Sequence, residues 1–302
     1  MERVGALVVN YNGEAVLPRC LGALLAEGLA PRGIVVVDNG STDGSHRRAA
    51  EQVPGIVLAE TPGQVSFAAA NNLGIRRLAE TGPPDLVLFV NNDAFLSPGC
   101  LARLAAALAD DPALGAATPR LVSPGGEIWY GGGEVAWREG GAVFPGRGEA
   151  AGPRARRGGR VTAATLCVLL VRWTALERTG LLDESYFFYD EDVEFCLRLT
   201  EAGFGLGYVP EAEAVHVGGY STSSRGEAFV YRNMARNRIV TMRRHGTLPR
   251  WLLFLPWFAA MMAWKSLRFT LAGRPGTAAA IAGGLREGLT APLLPVPTLG
   301  GT

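Results

Sequence analysis

Short apolar runs, each stopped by a polar cluster, alternate with stretches of helical periodicity along the first third of the chain. "GALVVNYN" predicts a buried strand, followed by a helix over "EAVLPRCLGALLAEG". In "GIVVVDNGSTDGS" the β-branched run Ile34 to Val37 is a second strand, Asp38 ends it, and the polar cluster after it is a loop. "GIVLAET" is a third strand and "FAAANNLGIRRLAET" a helix. "DLVLFVNNDAFLSPG" reads as one further buried strand, stopped by Asn91, Asn92 and Asp93. Ser97 as N-cap and Pro98 at the first helical position then open a helix through "CLARLAAALAD".

This alternation predicts an α/β fold with a mainly parallel sheet covered on both faces. Open sheets of that kind bind ligands beyond the carboxyl ends of their strands. Asn10 to Asn12, Asp38 and Asp93 all fall at such ends. The first strand is not followed by GxGxxG, which argues against a dehydrogenase. From Ser123 to Arg160 the chain is Gly-rich and irregular, a long excursion with the makings of a hairpin. "VTAATLCVLLVR" restores a buried strand and "TALERTG" a short helix.

The stretch "FFYDEDVEF" (Phe187 to Phe195) crowds four acids among aromatic rings. A helix starting near Asp190 would offset part of their repulsion with its partial positive charge. Helical spacing puts Glu191, Glu194, Arg198 and Glu201 on one polar stripe. Asp192 shares its face with Phe195, Cys196 and Leu199 instead. Asp192 is therefore expected on the core side with a raised pKa, as suits a general base. For Asp190 and Glu194, helix-end charge and capping is the plainer reading.

The chain has 302 residues, 48% hydrophobic and 19% charged, with net charge +1. That predicts a large core and gives no bulk charge for nucleic-acid binding. Cys20, Cys100, Cys167 and Cys196 form no CxxC pair and sit among apolar residues, the pattern of a reduced, cytosolic chain with core thiols. The N-terminus lacks the length and cleavage site of a signal peptide. Near the other end, "YRNMARNRIVTMRRHG" predicts a basic helix. Beyond it "WLLFLPWFAAMMAW" (Trp251 to Trp264) falls short of the roughly 20 residues that span a bilayer. Pro256 interrupts it, and Arg243, Arg244, Lys265 and Arg268 flank it. The pattern predicts an interfacial or re-entrant anchor on an anionic leaflet, with a buried core helix or oligomer contact as the alternative.

Five segments together resemble the family-two inverting glycosyltransferases: "VVVDNGSTDGS", "FAAANNLGI", "FVNNDAFLSPG", "LLDESYFFYDEDVEFCLRL" and "AVHVGGYS". They occur in the family's order and spacing over about Val4 to Asn237, most like the rhamnosyltransferase-like branch of surface-polysaccharide synthesis. The resemblance implies a GT-A fold, a nucleoside-diphosphate sugar donor of UDP or dTDP type, a divalent metal (Mg²⁺ or Mn²⁺) and single displacement with inversion. It implies a nucleotide-binding half (1–122), an acceptor-binding half (123–245) and a membrane-associating segment (246–302).

Carried over by position, Val9, Asn10, Tyr11 and Asn12 would line base and ribose, and Asp38 would hold the nucleoside. Asn71 and Asn72 stand in the nucleotide-contacting segment. Asn91-Asn92-Asp93 occupies the place of the family's Asp-x-Asp, leaving Asp93 as the metal ligand and Asn92 beside the nucleotide. His216 would complete the metal or diphosphate site, although a lone histidine in an apolar strand is otherwise structural. Asp192 matches the catalytic base, and Glu191 and Arg236 are candidates for acceptor or diphosphate contacts. Gln64-Val65-Ser66-Phe67 departs from the family's Asn-x-Gly-Phe. A glycan or lipid-linked acceptor at the inner face of the plasma membrane follows, with "RARRGGR" (Arg154 to Arg160) either a contact for its diphosphate or a solvated loop. A nucleotidyltransferase is disfavoured, since "VVNYNGEAVLPR" offers no Gly-rich phosphate loop with a basic residue. A non-catalytic nucleotide-sugar-binding subunit is the alternative.

Overall fold

A computed structural model describes residues 2–80, 82–218 and 226–300. The "GGYSTSS" run after His216 therefore lies outside the described residues from position 219 on. The first half runs β1 (Val4–Asn10), α1 (Leu17–Ala26), β2 (Ile34–Asp38), α2 (Ser45–Gln52), β3 (Val57–Glu60), α3 (Phe67–Glu80) and β4 (Leu86–Asn91). Next come β5 (Ala94–Leu96), α4 (Cys100–Asp110), β6 (Leu114–Val122), β7 (Ile128–Tyr130), β8 (Glu134–Ala136), β9 (Gly141–Val143), β10 (Gly159–Val161) and β11 (Val168–Arg172). The chain closes with α5 (Trp173–Thr179), α6 (Glu191–Glu201), β12 (Gly205–His216), α7 (Gly226–His245), α8 (Leu248–Leu271) and α9 (Pro275–Thr290).

The main sheet has the order β10-β12-β6-β11-β4-β1-β2-β3, with β5 on β12 and β7 on β6. From β4 to β3 every pairing is parallel. Beyond β4 the sheet is mixed, because β11 runs antiparallel to both β4 and β6. The central strands are apolar at consecutive positions because both faces are covered. Ala6, Val8, Leu86 and Leu88 pack under α1 and α4, while Leu7, Val9, Val87 and Phe89 pack under α3, α5 and α6. Gly74 lets α3 approach β1, since a Cβ there would lie 1.9 Å from Leu7 Cδ1.

Three local expectations change. Helix α2 stands where only a loop is legible; its mean polarity hides a buried stripe of Ser45, His46 and Ala49. The helix after Ser97-Pro98 starts at Cys100, behind Gly99 at φ 77°. Glu27 caps it from α1, accepting Gly99 N–H and Leu101 N–H at 2.7 Å each, so Ser97 is not needed. The run "DLVLFVNNDAFL" folds as two strands. β4 pairs with β1, and β5 crosses to β12 in the register His216↔Ala94. That break at Asn92-Asp93 builds the site.

Helix α8 continues through Pro256 rather than breaking there. Its buried stripe is Phe254, Phe258, Met262 and Phe269, set against α7 and α9 with Ala235, Ile239 and Ile281. Its other face leaves Leu252, Leu253, Leu255, Trp264, Leu267 and Leu271 exposed. α9 presses on α7 through glycines: a Cβ at Gly284 would lie 2.2 Å from Arg232 O, and one at Gly288 2.7 Å from Arg236 O. The residues after α9 then run back along the fold, where Leu181 N–H donates to Pro297 O at 2.8 Å.

Candidate active site

Strands β1, β2 and β4 end side by side, with Asn10 in register with Asp38 and Val9 with Asn91. A cavity of about 360 Å³ opens beyond these ends. Of the residues singled out above, Val9, Tyr11, Asn92, Asp93, Glu191, Asp192 and His216 line it. Asn10, Asn12, Asp38, Asn71, Asn72 and Arg236 stand off its wall, held in hydrogen bonds behind it.

Asn10 is fully buried, and its amide donates to Asp38 Oδ1 at 3.1 Å and Ser45 Oγ at 2.8 Å. Its carbonyl oxygen accepts from Asn92 Nδ2 at 3.0 Å. Asp38 Oδ2 accepts Ser41 N–H at 2.9 Å, and its Oδ1 lies 3.1 Å from His46 Nδ1. Asn12, left-handed at φ 50°, accepts Thr42 N–H at 2.8 Å. This network fixes the loop after β2, whose Asn39 was not legible as a site residue. Asn39 grips Val65 from both sides, accepting its N–H at 2.9 Å and donating to its carbonyl at 3.1 Å. Gln64, Val65 and Phe67 of the atypical segment thereby reach the cavity wall. Asn71 donates to Phe67 O at 2.8 Å. Asn72 donates to Leu182 O and Glu184 Oε1 and accepts Leu182 N–H, tying α3 to the approach to α6.

On a second wall, the β4–β5 break brings Asp93 to His216: Nε2 lies 3.1 Å from Asp93 Oδ1, and both residues are buried. Trp129 packs edge-on to the imidazole at 4.3 Å, and Arg147 lies over Trp129 at 4.5 Å. Both line the cavity and come from the Gly-rich excursion, which has no periodicity to read. Gly148 N–H donates to Ile128 O and Ile128 N–H to Glu149 O, pinning the Arg147 loop to β7. The donor set suits a hard divalent cation, which uses few protein ligands beside the oxygens of a bound phosphate. Asp93 supplies a carboxylate and His216 an imidazole. His216 Nδ1 and Asn91 Oδ1 are buried without a hydrogen-bond partner among the described residues. Among those residues no group of three His, Cys, Asp or Glu could hold a metal alone, so phosphate oxygens would complete the shell.

The third wall is the start of α6. Tyr189 and Asp190 are both left-handed, at φ 69° and 64°. Such a pair costs about 1–3 kcal/mol per residue and persists only where the surroundings hold it. Asn237, fully buried on α7, does so by donating to Phe188 O at 2.9 Å and Tyr189 O at 2.8 Å. Arg236 Nη1 in turn donates to Asn237 Oδ1 at 2.6 Å. The kink carries Glu191 and Asp192 to the cavity. Burial first, and Asp190 second, push Asp192 up to about 7. Burial and then Asp192 hold Glu191 well above the usual carboxylate range. Asp190 rises to about 6 through burial, opposed by Arg238.

The expected polar stripe is buried at Glu191 and Glu194 and reaches solvent at Glu201. Glu194 is fully buried, and Arg198 Nε bonds both its oxygens at 2.8 and 2.9 Å. α7 covers that face and supplies His245, whose Nε2 lies 3.3 Å from Glu194. Asp190 occupies the N-cap position without a side-chain cap bond. Within "RARRGGR", Arg160 pairs with Asp111 at 3.0 Å and its strand β10 flanks the opening residues of β12, while Ala155 packs with Val122, Ile128 and Val215.

Replacing Asn237 by Ala removes both clamps on the kink. If the acids at the start of α6 carry chemistry, turnover is expected to fall about 10–100-fold in kcat, with KM within about threefold, because those acids lose their aim while the cavity keeps its walls. Steady-state kinetics on the purified variant checks this; kcat within twofold of wild type contradicts it.

The family profile described as "Glycosyltransferase like family 2" matches residues 2–238. A relative from Mycobacterium tuberculosis, N-acetylglucosaminyl-diphospho-decaprenol L-rhamnosyltransferase, is 29% identical over 89% of this chain and 90% of its own length. The structure of S. aureus TarS with UDP-GlcNAc superposes with a TM-score of 0.61 at 14% identity, covering 96% of this chain and 81% of that one. Pyrobaculum calidifontis mannosyltransferase PcManGT with GDP-Man and Mn²⁺ gives 0.56 at 18% identity, over 97% and 77%. The fold is thus the GT-A fold, and the chain belongs to the family-two glycosyltransferases, in a rhamnosyltransferase-like branch.

Proposed function

We propose that this glycosyltransferase moves a sugar, rhamnose by analogy with its relative, from a UDP- or dTDP-type donor to a lipid-linked acceptor, with inversion. One observation carries the reading: a single cavity bears Asp93 with His216 on one wall and Asp192 with Glu191 on another. The Asp192 carboxylate takes the acceptor hydroxyl proton as its oxygen attacks the anomeric carbon, and the bond to the diphosphate oxygen breaks. Burial first, and Asp190 second, make Asp192 a stronger base than an ordinary carboxylate. Val9, Tyr11 and Asn92 border the nucleoside, with Asn10, Asn12, Asp38, Asn71 and Asn72 bracing those segments from behind. Asp93 and His216 would hold Mg²⁺ or Mn²⁺, which supplies charge neutralisation for the leaving diphosphate. Glu191 faces the acceptor, and Arg236 acts through Asn237.

Among the described residues no helix is long and apolar enough to cross a membrane. The outward leucines of α8, with Trp264 and the nearby Lys265 and Arg268, support a helix lying on an anionic surface at the cytoplasmic face.

The test is transfer from nucleoside-diphosphate rhamnose to an N-acetylglucosaminyl-diphospho-lipid, with and without Mn²⁺. Metal should be required, and Asp93→Ala should weaken metal activation by at least about tenfold. Equal turnover in chelator would contradict metal dependence. Tight donor binding with neither transfer nor donor hydrolysis would instead fit a non-catalytic sugar-nucleotide-binding subunit.

A further inference from the structure

The β8–β9 hairpin forms its own two-stranded sheet and bridges the cavity region to α8. At its tip Arg138 lies over Trp257 at 4.2 Å, Trp137 lies under Arg250 at 3.6 Å, and Trp257 Nε1 donates to Glu139 Oε1 at 3.1 Å. Just past the turn Gly141 passes between two charges: a Cβ there would lie 3.5 Å from both Arg238 Nε and Asp190 Oδ1. Arg238, on α7, is only 12% exposed, its Nε has no partner among the described residues, and its Nη1 is 3.7 Å from Glu139. Lys265, on α8, stands over Tyr231 at 4.9 Å, close enough to Arg238 to feel its repulsion. Three cations, Arg138, Arg238 and Lys265, thus gather around two carboxylates, Glu139 and, beside Arg238 alone, Asp190.

We propose that Arg138, Arg238 and Lys265 bind the diphosphate of a lipid-linked acceptor, whose chain runs along the exposed leucines of α8. The inference rests on the acceptor class proposed above and supplies its site. Three gathered cations, with Arg238 Nε unpartnered among the described residues, match a multiply charged phosphate ester better than the two carboxylates beside them. The apolar face beside them matches the chain that such an ester carries. Arg238 borders Asp190, and Asp190 borders Asp192. That succession links the cation cluster to the acids at the start of α6.

The test uses the full chain with farnesyl diphosphate, farnesyl monophosphate and farnesol. Binding is read by tryptophan fluorescence from Trp137 and Trp257, with saturating nucleoside diphosphate and Mn²⁺ filling the main cavity. Farnesyl diphosphate should bind at least about tenfold tighter than the other two. The double variant Arg138→Gln, Lys265→Gln, altered at surface positions, should lose that advantage while keeping farnesol affinity. Arg238→Gln should do the same and raise KM for the diphospho-lipid acceptor without raising donor KM. Equal affinity for the three probes, an unchanged double variant, or displacement of farnesyl diphosphate by the nucleotide overturns the assignment. If wild type still transfers sugar to the diphospho-lipid acceptor, the site assignment alone has failed. If wild type transfers to no such lipid, the acceptor reading fails with it.

Discussion

Asp192→Asn is expected to lower sugar transfer by about 10²–10⁴-fold while leaving donor affinity within about twofold. The amide keeps the shape of the carboxylate but cannot accept the acceptor proton. Burial and Asp190 hold the native group up to about 7, so it is protonated and idle in mild acid. Wild-type kcat/KM should therefore climb with pH, tenfold per unit, and level off above about 7. The linkage sign follows from the same shift. A carboxylate whose folded pKa is raised disfavours its own ionisation, so it erodes stability as pH rises from the ordinary carboxylate value to the folded one. At pH 8 the Asn variant should thus melt no lower than wild type, and higher if the acids repel as the geometry indicates. A pH–rate profile and a thermal melt at pH 8 check both halves. Turnover within tenfold of wild type would remove Asp192 from the role of base.

Glu194→Leu is expected to have the largest effect on stability. Glu194 is fully buried with Arg198 on both oxygens, and Arg198 also donates to Thr179 O at 2.6 Å and Leu181 O at 2.8 Å. His245 bridges Glu194 and Glu201, at 3.3 and 2.8 Å. Truncating one member leaves an uncompensated guanidinium beside the core, at a cost of about 3–5 kcal/mol. For a chain of this size that is about 6–15 °C in Tm. Burial raises the Glu194 pKa, but His245 and Arg198 outweigh it and the net shift is downward. Burial lowers that of His245, but Glu194 and Glu201 outweigh it and the net shift is upward. A depressed Glu gives stability that is present above its unfolded pKa and lost as pH falls through the folded one. A raised His gives stability that is present below its unfolded pKa and lost as pH rises through the folded one. Wild type should be most stable between these limits. Glu194→Leu should flatten both limbs, as urea melts across the range would show. A Tm within 2 °C of wild type would contradict this.

The sequence shows the parallel half of the fold well, because consecutive apolar residues in β1, β2 and β4 leave only a doubly covered strand. It also shows that Asp93, Asp192 and His216 belong together, through the family resemblance. Three features resist reading. The β4–β5 break depends on a pairing with β12, more than a hundred residues later in the chain, which no local pattern carries. Trp129, on the three-residue strand β7, and Arg147, in a loop pinned to it by backbone hydrogen bonds, lie in a Gly-rich stretch too short in pattern for anything periodic to mark them. Glu194 looks solvated on its own helix because the covering helix α7 is far along the chain. Asn10 and Asp38, placed by resemblance beside the nucleoside, bond to one another just off the cavity wall.

The most direct test of the shared cavity is a crystal structure with nucleoside-diphosphate rhamnose and Mn²⁺ bound to the Asp192→Asn protein. The account predicts the diphosphate between Asp93 and His216, with the anomeric carbon facing residue 192. A donor lying outside that cavity, or an anomeric carbon turned away from residue 192, would contradict it.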